Sequence, residues 1–170
     1  GGIGREVAKR VLALGSRVLA FDRGPEAFSD SGARFQEPPH AGDTPAAPAA
    51  VEPLHGPEGF RRLLAESDFL VLTAPETPES RGAFDAEALS RMKPGAALIN
   101  ISRGPLVDEE ALVAALEEGR LRGAGLDVFA REPLPEGHSL RDHDRVLTTP
   151  HVAYYSEESD VERREQAVAN

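Results

Sequence analysis

"AALINISRGPLVDEEALVAALEEGRLRGAGLDVF", residues 96–129, carries a strand, a helix and a second strand in one run. Residues 96–102 (AALINIS) and 123–129 (GAGLDVF) are apolar without polar alternation. Between them, 108–119 (DEEALVAALEEG) starts on acids, spaces its apolar residues for a helix and closes at Gly119. A strand without alternation has no face for water, so both strands are expected between helical layers, as in a parallel sheet.

The same alternation extends in both directions. Upstream, 68–74 (DFLVLTA) is a strand stopped by Pro75, 57–67 a helix begun by Pro57, and 50–54 (AVEPL) a short strand. Residues 16–22 (SRVLAFD) form another strand, ending in Asp22, and Ile3, Val7, Val11, Leu12 and Leu14 give a helical stripe closed by Gly15. Residues 85–92 form a helix stopped by Lys93-Pro94-Gly95, 145–150 (RVLTTP) a last strand, and 157–170 a helix. The expected fold is α/β, a doubly wound parallel sheet of the Rossmann type. The exception is 36–50 (QEPPHAGDTPAAPAA), where nine of fifteen residues are Pro or Ala and no period survives, so a mobile surface insertion is expected.

Composition narrows the function. A chain of 170 residues, 40% hydrophobic, can bury one core. Its net charge of −10 offers no basic tract for a phosphate backbone, so no direct nucleic-acid partner is expected. Without cysteine it has neither disulfides nor Cys-ligated metal, which fits a cytoplasmic protein. No apolar run approaches the roughly 20 residues of a membrane span, and no membrane association is expected.

In parallel sheets ligands bind at the carboxyl ends of strands. The residues there are Asp22, Ala74-Pro75, Ser102-Arg103, Asp127 to Glu132, and Pro150-His151. Asp22, 18 positions after Gly4, can accept both hydroxyls of an adenosine ribose and repel a 2′-phosphate, favouring NAD; it can also simply cap the next segment, and Arg23 beside it leaves NADP open. Arg103 can grip a carboxylate through two parallel hydrogen bonds or form an ordinary surface ion pair. A carboxylate at Glu132 bonded to His151 would fix the imidazole tautomer and favour its protonated form, giving a general acid near neutral pH. Asp127, a lone acid inside GLDVF, either caps the strand end or needs another partner. His40, His55, His138 and His143 match no such pattern and are expected at the solvated surface, and no histidine pairing suggests a metal. GGIG at 1–4 is an ordinary helix start or the end of a phosphate-binding G-x-G-x-x-G turn.

Arg, Glu and His in that order, each after a strand, within "NISRGPLVDEEALVAALEEGRLRGAGLDVFAREPLP" (100–135) and "TTPH" (148–151), resemble the D-isomer-specific 2-hydroxyacid dehydrogenases. HVAYYSEES (151–159) is most similar to the branch of C-terminal binding protein and phosphoglycerate dehydrogenase, with Tyr154 where the former has tryptophan. The resemblance runs from Gly1 almost to the end. It implies a chain that begins inside the glycine fingerprint, a dinucleotide-binding domain over 1–153 lacking its first strand, and at 154–170 the start of a helix returning to a substrate domain that is mostly absent.

By the same resemblance, Gly1, Gly2, Ile3 and Gly4 cradle the pyrophosphate of NAD and Asp22 holds its adenosine ribose. Ala74, Pro75 and Thr77 contact the cofactor, Ile101 and Ser102 the nicotinamide end, and Asp127 its carboxamide. The catalytic residues implied are Arg103 on the substrate carboxylate, His151 as proton donor and acceptor, and Glu132 orienting His151. The implied activity is hydride transfer between nicotinamide and C2 of a small D-2-hydroxy or 2-oxo acid, in a homodimer when complete. A corepressor-like protein sensing NAD(H), and an inactive remnant, are the other readings.

Overall fold

The computed structural model describes residues 2–22 and 51–169. Gly1 and the insertion expected at about 36–50 lie outside them. Helix α1 (Gly2–Ala13) leads into β1 (Leu19–Phe21); β2 (Glu52–Leu54), α2 (Gly56–Glu66), β3 (Phe69–Leu72), α3 (Ala86–Arg91) and β4 (Ala96–Asn100) follow. A 3-10 turn at Gly104–Leu106 precedes α4 (Glu109–Glu117), β5 (Leu121–Leu126), β6 (Val146–Thr148) and α5 (Glu157–Ala169). No helix among the described residues is long and apolar enough to cross a membrane.

Every strand pairing is parallel. β3, β4, β5 and β6 form one sheet in sequence order, and β1 pairs with β2 in a second, two-stranded sheet. Because neighbouring strands run the same way, their carboxyl ends share one edge. The strands are shorter than the apolar runs that announce them: SRVLAFD yields only Leu19–Phe21, and β5 starts at Leu121 and stops before Asp127.

Burial is one-sided. Along β4, Ala96, Leu98 and Asn100 are buried while Ala97 and Ile99 are partly exposed. The buried face joins Leu70, Leu72, Leu98 and Leu126 to Leu63 and Leu64 of α2, Leu89 of α3, and Leu112 and Leu116 of α4 in one cluster. The opposite face is partly exposed at Ala97 and Ile99, and Phe69 is 62% exposed with the Arg122 guanidinium stacked on its ring.

Helix ends follow sequence chemistry. Asp85 and Asp108 accept the backbone N–H groups of Ala88 and Ala111, capping α3 and α4, as their places before apolar periodic runs imply. The two sheets meet through α2: Phe60 packs between Phe21, 5.4 Å away, and Phe84, 5.7 Å away. At the opposite ends of β1 and β2, Arg17 and Arg62 each bind both Glu52 and Glu66, a closed ring of four alternating charges.

Candidate active site

The residues singled out after each strand gather on the carboxyl edge. Gly2, Ile3 and Gly4 form the first turn of α1, which carries no acid. A Cβ on Gly4 would lie 2.8 Å from Thr73 Oγ1, just past β3, so the helix start approaches the sheet closely enough that a side chain there would displace the threonine hydroxyl. Asp22 follows β1; its backbone N–H donates to Leu54 O at 3.2 Å, and its own carbonyl lies 3.2 Å from His55 Nδ1.

The loop after β3 is organised by Ser80. Its Oγ donates to Pro75 O at 2.9 Å and accepts from Thr77 N at 2.8 Å, which leaves Ala74 and Pro75 exposed at the edge. Ser102 Oγ donates to Ala74 O, tying the loop after β4, with Ile101 half-buried, to this one.

Arg103 is exposed, and its Nη1 donates to Ser102 O at 2.6 Å. Beside it, Gly104 is pressed onto the loop after β5: a Cβ there would sit 1.8 Å from the carbonyl carbon of Phe129. The arginine and glutamate loops are thus held in backbone contact.

His151 Nδ1 lies 2.7 Å from Glu132 Oε2. An ionised carboxylate can only accept, so Nδ1 carries the proton and Nε2 is left as the nitrogen that exchanges one. Glu132 Oε1 accepts from Phe129 N at 3.0 Å. Partial burial pushes the Glu132 pKa up, but the bonds from His151 and Phe129 outweigh it and hold the carboxyl below its ordinary range.

Asp127, 4% exposed, is the anchor of the histidine loop. Oδ1 accepts from Thr149 Oγ1 at 2.5 Å and Val152 N at 2.9 Å, Oδ2 accepts from Ala153 N at 2.9 Å, and its carbonyl accepts from His151 N at 2.8 Å. Burial works against the charge, yet these donors outweigh it and keep the carboxyl ionised below its usual range. His151 itself has φ 55°, a left-handed backbone set by this net of bonds.

Sequence reasoning missed several supporting side chains. Asn100, 1% exposed, binds the backbone of Ser102 and Arg103, Thr149 binds Asp127, and Glu109 Oε1 accepts from Ala130 N at 2.7 Å. The signal open to it was a polar residue closing an apolar strand or opening a helix.

The surface expectation for the other histidines needs correction where they are described. His55, His138 and His143 are all partly buried. His138 Nε2 lies 3.3 Å from Glu109 Oε2, and His143 Nδ1 accepts from Arg145 N at 3.1 Å, because short loops with few backbone partners recruit ring nitrogens. His40 lies outside the described residues.

A family model described as the NAD-binding domain of D-isomer specific 2-hydroxyacid dehydrogenases matches residues 1–153. The glycerate dehydrogenase of Methylorubrum extorquens is 38% identical over 172 aligned residues, spanning 100% of this chain and 46% of that protein. A solved structure of a Thermus thermophilus protein superposes with a TM-score of 0.78 at 39% identity, over 99% of this chain and 46% of that one. The NADPH-dependent glyoxylate/hydroxypyruvate reductase of Sinorhizobium meliloti, solved with NADP and sulfate, gives a TM-score of 0.76 at 28% identity, over 99% and 49%. The chain spans just under half the length of these relatives.

Proposed function

Since the chain belongs to the D-isomer specific 2-hydroxyacid dehydrogenases, contributing their NAD-binding domain, we propose that the whole protein moves a hydride between a nicotinamide dinucleotide and C2 of a small D-2-hydroxy or 2-oxo acid. The observation that carries this reading is the 2.7 Å Glu132–His151 pair, whose glutamate lies on a loop in backbone contact with that of Arg103.

The chain's residues fit such a cofactor. The α1 N-terminus has no acid in its first turn and little room beside Gly4, which suits a pyrophosphate on the amides of Gly2, Ile3 and Gly4, with Gly1 proposed as a further contact. Asp22 would take the ribose hydroxyls, which favours NAD over NADP. Ala74, Pro75, Thr77, Ile101 and Ser102 line the same edge, and Asp127 backs it. When bound, the cofactor supplies the hydride-exchanging ring. His151 Nε2 holds or takes the proton of the C2 oxygen, Glu132 keeps the imidazole oriented with its Nδ1 proton in place, and the Arg103 guanidinium grips the substrate carboxylate. The activities that two of the relatives above are named for, on glycerate and on glyoxylate or hydroxypyruvate, support a substrate of two or three carbons.

The test uses the whole protein and a panel of 2-oxo acids with NADH and NADPH. His151→Asn should lower kcat by about 10²- to 10⁴-fold while leaving NADH binding within about threefold. Unchanged kcat would sink the mechanism. A cytoplasmic homodimer belongs to the same proposal. The likeness of 151–159 to the C-terminal binding protein branch supports a second reading, an NAD(H)-sensing interaction protein. Turnover of no small acid, together with peptide capture that depends on NADH, would favour it.

A further inference from the structure

We propose that Asn100 is the positioning residue for Arg103: its buried side chain sets the backbone from which the guanidinium reaches the substrate carboxylate. The inference rests on the role given to Arg103 above and deepens it.

Asn100 ends β4 on the face that Ala96 and Leu98 share, buried to 1% beside an otherwise apolar cluster. A leucine there would serve the core, whereas an amide is costly to bury unless both its ends are satisfied. They are satisfied by one short segment. Oδ1 accepts from Ser102 N at 3.1 Å, and Nδ2 donates to Arg103 O at 2.9 Å. The first closes a turn two residues ahead and the second fixes the peptide that follows the Arg103 side chain, so the backbone on both sides of Arg103 is clamped from inside the core. Ser102 Oγ on Ala74 O and Gly104 against Phe129 pin the flanking residues outward. The Asn100 carbonyl also accepts from Asp127 N at 2.9 Å, so the residue that aims Arg103 stands next to the one that holds the His151 loop. Only the arginine side chain remains to move. A forked, two-bond grip tolerates little displacement of its base, which is why a rigid turn has value at this position.

The experiment uses the whole protein. Asn100→Asp keeps an acceptor for Ser102 N and removes the donor to Arg103 O; Asn100→Ser, with one shorter polar group, cannot keep both bonds and serves should the first variant not fold. Arg103→Lys is the comparator. Four quantities are read: KM for the best 2-oxo acid, kcat, inhibition by oxalate as a non-reducible carboxylate, and NADH affinity by fluorescence. For a folded Asn100 variant the expected result is a rise of about three- to tenfold in KM and in the oxalate inhibition constant, with kcat and NADH affinity within about twofold. If KM and oxalate inhibition stay at wild-type values, or if kcat and NADH affinity fall in step with them, the proposal is overturned and Asn100 serves the fold alone. If Arg103→Lys also leaves KM and oxalate inhibition unchanged, the failure lies in the role of Arg103 itself.

Discussion

At the scale of single residues, the site's loops are held by buried or half-buried polar groups that bond within the chain. Asp127 shows the cost of disturbing one. An amide in place of its carboxylate turns one acceptor into a donor facing a backbone N–H, so Asp127→Asn should lower unfolding stability by about 1–3 kcal/mol in urea titrations. Asp127 and Glu132 both have pKa values held below the ordinary carboxylate range in the fold. Such groups stabilise the native state fully above their unfolded pKa and lose that contribution as pH falls through the folded one. Stability should therefore be flat at neutral pH and decline below about pH 4, with a shallower decline in Glu132→Gln; thermal melts across that range check it. The left-handed φ of His151 also decides how it should be replaced: Asn adopts that backbone readily and Ala does not, so His151→Asn should remove the imidazole with the smaller loss of melting temperature.

At the scale of elements, two glycines separate packing from propensity. Gly104→Ala would drive a Cβ into the backbone of Phe129, and neither loop can retreat without breaking the arginine or glutamate arrangement. A loss above about 4 kcal/mol, or failure to fold, is expected. Gly2, in α1 with nothing within 4 Å of its added Cβ, should accept Ala with unchanged or slightly raised melting temperature. The elements themselves were legible: Gly119, Asp85, Asp108 and the apolar runs at 68–74, 96–102 and 123–129 announced them by position. Strand ends were less so, because hydrophobicity continues past the last ladder bond, as at Val128 and Phe129, which are buried without belonging to β5. Arg103, Glu132 and His151 stood out by order and place, whereas Asn100, Thr149 and Glu109 did not. Asn100 serves the turn that follows it, Thr149 the carboxylate of Asp127 and Glu109 the backbone of a distant loop, and no motif in the sequence marks any of the three.

At the scale of the whole molecule, the described residues make two sheets of unequal solidity, bridged by the Phe21–Phe60–Phe84 row. β1 is partly buried throughout and pairs over three residues, while β4 and β5 lie inside the leucine core. Asp22 hangs from the first sheet, and Arg103, Glu132 and His151 from the second. Amide hydrogen exchange should expose this division. Protons of Leu19, Ala20 and Phe21 should be lost to deuterium through local opening, well before those of Leu98 or Leu126. Addition of NADH should then slow exchange mainly in β1, since a ligand adds most order where least exists. The ribose end of the cleft would thus record occupancy, and the proton-transfer end would stand ready before any ligand arrives.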